Sequence, residues 1–164
     1  MSASGLDVFD RTLQTTHIWL NEIMAAAGPD RETAWHVLGA VLRTIRDRVP
    51  LELATHLGAE LPILVRGTYY DQWHPGIECE RYRTLDEFLE RVEANLGLAG
   101  AIDPRDATRA VFDVLAHHLP DGQIRKICNA LPEGVRALWQ VSPVSDGRHN
   151  VEVKRDQECL LRGA

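Results

Sequence analysis

Two stretches of this chain lie over one another without a gap. "VLRTIRDRVPLELATHLGAELPILVRGTYY", from Val41, faces "VFDVLAHHLPDGQIRKICNALPEGVRALWQ", from Val111, at a constant shift of 70 residues. Under that shift Ile45 meets Leu115, Val49 meets Leu119, Leu57 meets Ile127, Val65 meets Val135 and Tyr69 meets Trp139. Pro50 falls on Pro120, and Leu61-Pro62 on Leu131-Pro132. Upstream, "WLNEI" from Trp19 resembles "FLERV" from Phe88 at a shift of 69. A chain built this way folds most simply as two related units sharing one pattern of buried positions.

The pattern is helical. Val37, Leu38, Val41, Leu42, Ile45 and Val49 recur at the three-and-four spacing of an amphipathic helix, with Arg43, Arg46 and Asp47 on the other face. Pro50 stops that helix and suits the first turn of the next, where a missing N–H is no loss. Leu53, Leu57 and Leu61 line a short helix, and Pro62 repeats the punctuation before Val65 and Tyr69. Asp30, Thr84 and Asp103 precede apolar-periodic runs as N-caps, with Pro104 in a first turn. The expected fold is therefore all-α: two pseudo-repeated four-helix units, long, long, short, short, packed into one compact domain. The first spans 6–72, a linker 73–83, the second 84–140. The segment 141–164 has no counterpart in the first unit and reads as a mobile appendage, in which "NVEVK" alternates like a short strand.

Composition narrows the function classes. Lys and Arg number 18 against 24 Asp and Glu, a net charge of −6, which argues against nucleic acid as a general partner because phosphate affinity comes from basic side chains. The apolar stretches are too short for a membrane span. The start "MSASGLDVFDRTL" lacks the basic and apolar segments of a secretory signal, so a cytoplasmic location and no membrane partner are expected. Cys79, Cys128 and Cys159 show no CxxC spacing, which speaks against a disulfide framework or zinc site. Cys128 lies among apolar positions, whereas Cys159, in the tail, reads as an exposed thiol.

"LVRGTYYDQW", followed by "AVFDVLAHHLPDGQI" and "ALPEGVRALW", resembles the bacterial domain-of-unknown-function family 2267 over about residues 19–139. The resemblance implies an all-α bacterial protein with no established activity. It brings no catalytic residues to carry over.

No nucleophile motif or phosphate loop is present, and the chain reads as non-catalytic and without a cofactor. The expected function is a helical interaction module, a regulatory or stress-linked scaffold that binds another protein or itself. Its surface is placed at Arg66, Tyr69, Tyr70, Trp73, Arg136 and Trp139, since both units end in an Arg and an aromatic, the composition of binding hot spots. Two alternatives stand beside it. A helix-turn-helix-like DNA-binding regulator would use Arg43, Arg46 and Arg48, although the second helix offers a groove only Arg66. A small-ligand or metal carrier would draw on Asp71, His74, Glu78, Cys79 and Glu80, whose spacing matches no ligand motif. The adjacent His117 and His118 point about 100° apart on a helix, a poor arrangement for holding one ion.

Overall fold

The computed structural model describes residues 5–28, 30–76, 79–97 and 102–139. Within them the elements are α1 (Asp7–Ala27), α2 (Arg31–Arg48), α3 (Leu51–Glu60), α4 (Ile63–Tyr70), α5 (Leu85–Leu96), α6 (Pro104–His118), α7 (Asp121–Ala130) and α8 (Glu133–Leu138). The protein is all-α, with no strand among the described residues. The tail from 141 onward, with its strand-like "NVEVK" and Cys159, lies outside them.

Local chemistry sets the helix limits. Asp30 accepts a hydrogen bond from the Thr33 amide, and Asp103 accepts from those of Arg105 and Asp106, with Pro104 opening α6. Thr84 and Glu87 form a reciprocal capping box on α5, satisfying two amides that the helix leaves open. Pro50, Pro62, Pro120 and Pro132 each stand immediately before a helix in extended backbone, so the four short helices α3, α4, α7 and α8 share one start. Gly28 closes α1 in the left-handed conformation, donating its amide to the Met24 carbonyl.

The core runs through both halves of the chain. α2 is its axis: Val37, Leu38, Val41, Leu42 and Ile45 are fully buried, and the helix packs on α1, α4, α5 and α6. α1 also packs on α6, and α5 on α6, so Phe88, Val92, Phe112 and Leu115 join the same cluster. The apolar pairs matched by the gapless alignment, from Ile45 with Leu115 to Tyr69 with Trp139, are buried at both members. Polar threads tie the linker to this core. The Tyr82 hydroxyl donates to the Thr44 carbonyl and the Asn95 amide to the Thr44 hydroxyl, while Arg48 donates to the Tyr82 carbonyl and lies over its ring.

Candidate functional site

Four of the six residues expected to form a surface lie in or just after α4, and of these Tyr69 faces inward. Tyr69 is fully buried, with its hydroxyl 2.7 Å from the Ala54 carbonyl to which it donates; burial pushes the phenol well above its ordinary range. Trp139 is buried too, stacked on Phe112 with ring centroids 4.1 Å apart. Both therefore leave the expected contact surface: as partners across the 70-residue shift they occupy equivalent core positions, and an apolar ring at such a position is drawn inside.

Arg66 is occupied as well. Its guanidinium donates to the carbonyls of Gly58, Ala59 and Leu61, where α3 ends and carbonyls run out of helical amides. Arg136, its counterpart on α8, is exposed. What remains at the end of α4 is a half-buried ledge in which Tyr70 stacks on Trp73 at 5.3 Å and meets Tyr69 edge-on. Gln72 takes a positive φ of 56°, turning the chain so that the Trp73 ring folds back over α4.

Beside this ledge opens a cleft of about 210 Å³, lined by Arg46, Asp47, Leu51, Trp73, His74 and Cys79 among others. Two of the three arginines before α3 are engaged within the chain. Arg46 is buried and bonded to Asp47 and to the carbonyls of Tyr69 and Asp71, and Arg48 serves Tyr82.

Tyr70 keeps its place because α3 has glycine opposite it. A β-carbon on Gly58 would occupy the position of the Tyr70 hydroxyl and the adjoining ring carbon. Gly58→Ala should therefore push the phenol off α3 and separate it from Trp73. The stack is worth about 0.5–1.5 kcal/mol, and alanine gains about 1 kcal/mol within a helix, so overall stability should hardly move. The expected readout is a shifted Trp73 indole N–H resonance with an unchanged unfolding midpoint. An unmoved resonance would show that the ring does not rest on Gly58.

The ligand-forming side chains converge elsewhere. Glu22 on α1 meets His117 and His118 at the end of α6: Glu22 Oε2 lies 3.0 Å from His117 Nδ1, and Oε1 lies 2.8 Å from His118 Nε2. This is the His, Cys, Asp and Glu group with ion-holding geometry among the described residues, whereas Asp71, His74, Cys79 and Glu80 form none there and Glu78 lies outside them. It also corrects the reading of the two histidines. Their Cβ directions diverge, but one ring turns Nδ1 and the other Nε2 toward the same carboxylate. Trp19 stacks on the His118 ring at 5.1 Å and holds its orientation. Burial acts to raise the Glu22 carboxyl; the hydrogen bonds and charge of both histidines outweigh it and hold the group below the usual carboxylate range.

Another exposed feature lies mostly ahead of the part of the first unit that aligns with the second. Leu6, Phe9, Leu13, Thr16, Leu20 and Ile23 follow the three-and-four spacing of one helix stripe. Thr16, Leu20 and Ile23 are buried, whereas Phe9 and Leu13 stay 55% and 47% exposed, as is Leu6 at the stripe's start.

The fold and these sites define an eight-helix assembly, among the described residues, whose distinguishing features are surfaces and a histidine cluster. The chain belongs to the DUF2267 family of uncharacterized conserved proteins, whose family model matches residues 16–138. A comparison with curated proteins found no match. No helix among the described residues is long and apolar enough to cross a membrane.

Proposed function

We propose that this chain is a non-catalytic helical binding module and that its partner is a second copy of itself. The carrying observation is the stripe on α1. It continues a seam that is buried from Thr16 onward, yet Phe9 and Leu13 face solvent, and exposed apolar patches of this kind mark association sites. The charges beside it favour self-pairing. Asp7 and Asp10 occupy the first turn, and Arg11 and His17 follow. Two arms packed antiparallel about a twofold axis set the acidic first turn of each near Arg11 of the other, with opposed helix dipoles.

The alternatives find less support. Arg46, Arg48 and Arg66 are engaged within the chain, which weakens a DNA-binding reading. The cleft beside Trp73, at about 210 Å³, is smaller than the roughly 300–1,000 Å³ typical of small-molecule sites, and the larger hollow of about 530 Å³ at Arg48, Cys79, Glu80 and Tyr82 is lined mostly by charged side chains rather than the apolar walls such sites use, which weakens the carrier of a drug-sized ligand.

The stripe from Leu6 to Leu13 is only about 10 Å long, so the dimer should be weak and concentration-dependent. Sedimentation velocity across a concentration series tests it. Phe9→Glu with Leu13→Glu should leave the fold intact, since both side chains are exposed, and shift the association curve at least about tenfold, given about 1.5–3 kcal/mol per buried Leu or Phe. A wild type that stays monomeric to about 1 mM, or a variant that associates equally well, would overturn the proposal.

A further inference from the structure

The geometry points to a transition-metal site at Glu22, His117 and His118, taking one divalent ion of the zinc, cobalt or nickel class. The three ligand atoms already lie within 4.8 Å of one another. Zinc–nitrogen bonds of about 2.0–2.1 Å separate tetrahedral ligands by roughly 3.3 Å, so closure around an ion requires side-chain movements of about an ångström.

The framework suits this. Glu22 sits on α1 and the histidines on α6, two helices packed against each other in the core, and the buried Trp19 ring braces His118. The ion would lie at the C-terminal end of α6, where the outward carbonyls favour positive charge. The two imidazoles, of intermediate softness, outnumber the one hard carboxylate, a donor set that matches zinc, cobalt or nickel better than calcium or magnesium. With His117 67% exposed, solvent can fill the remaining coordination positions.

Because the Glu22 carboxylate can only accept, His117 Nδ1 and His118 Nε2 each donate to it in the hydrogen-bonded arrangement. Metal binding needs those nitrogens free of protons. Each neutral ring can carry its proton on the other nitrogen, so the ion replaces the two hydrogen bonds with coordination bonds and the carboxylate becomes the third ligand.

The test is titration of the full chain, stripped with chelator, by Co2+ followed by visible absorption and by Zn2+ followed by calorimetry. The expected result is one ion per chain at this site, with His117→Ala and Glu22→Gln each weakening binding more than about 100-fold, since even groups that only support ligands cost about 10–100-fold. His117 is exposed, and glutamine preserves the shape of Glu22, so circular dichroism should show both variants folded. His74→Ala, remote from the cluster, should bind like wild type. Absence of binding, or binding that survives both ligand variants, would overturn the assignment and leave the three residues as a hydrogen-bonded clamp between α1 and α6.

Discussion

Arg46→Met should lower the unfolding free energy by about 3 kcal/mol, measured by urea denaturation with an unchanged slope. Arg46 is only 6% exposed and works through its whole guanidinium. Nε and Nη2 grip the two Asp47 oxygens at 2.7 and 3.2 Å, while Nη1 donates to the carbonyls of Tyr69 and Asp71. Those carbonyls belong to the last turn of α4 and the residue that ends it, where no further turn supplies amides.

Methionine keeps much of the stem's volume and abandons every one of these groups. Removing one member of a buried charged pair costs about 3–5 kcal/mol, and the lower end applies because Asp47 is 31% exposed and water can reach it. Arg46→Lys should recover only part of the loss, since one ammonium cannot fork between a carboxylate and two carbonyls. Asp47→Asn should cost about 1 kcal/mol, because the carbonyl bonds survive. A loss below 1 kcal/mol for Arg46→Met would mean that water replaces the guanidinium at the end of α4.

The same residue shows what periodicity can and cannot reveal. Helical spacing puts Arg46 on the polar face of α2, beside Arg43 and Asp47, yet its partners are carbonyls 23 and 25 residues further along the chain. A one-dimensional pattern does not contain that distance. What it does contain is the alternation of apolar positions, the proline punctuation and the caps at Asp30, Thr84 and Asp103, because each depends on neighbours within a turn or two. The repeat also marked Tyr69 and Trp139 as equivalent, and equivalence of apolar positions signals core rather than surface.

The two histidines mark the opposite limit. A helical wheel fixes where Cβ points, but the position of a ring nitrogen depends on side-chain torsions and on Glu22, 95 residues earlier. The α1 stripe went unread although its three-and-four spacing is written in the sequence; where α6 and α2 cease to cover it is not written there, since that depends on how far each helix extends in the folded molecule.

Trp139→Ala should cost about 3–5 kcal/mol, and Trp139→Phe far less. The indole stacks on Phe112 and closes the core beyond α8, so its truncation opens a large cavity in a cluster that also contains Phe88 and Leu138. Phenylalanine retains a ring against Phe112. It also removes the indole N–H, which is buried and has no acceptor among the described residues. Leaving such a donor unsatisfied costs about 1–3 kcal/mol, so its removal offsets much of the smaller ring's lost contact.

Tyr69, the counterpart of Trp139 across the repeat, should behave in the opposite sense: its hydroxyl has a buried acceptor in the Ala54 carbonyl, and Tyr69→Phe should cost about 1 kcal/mol by removing that bond. Equilibrium unfolding of the three variants decides the matter. If Trp139→Phe proves as damaging as Trp139→Ala, the indole N–H has an acceptor beyond the described residues. If it is close to neutral, the two aromatic positions share shape and burial while differing in polar satisfaction. The repeat then conveys packing, and each copy must solve its own hydrogen bonding.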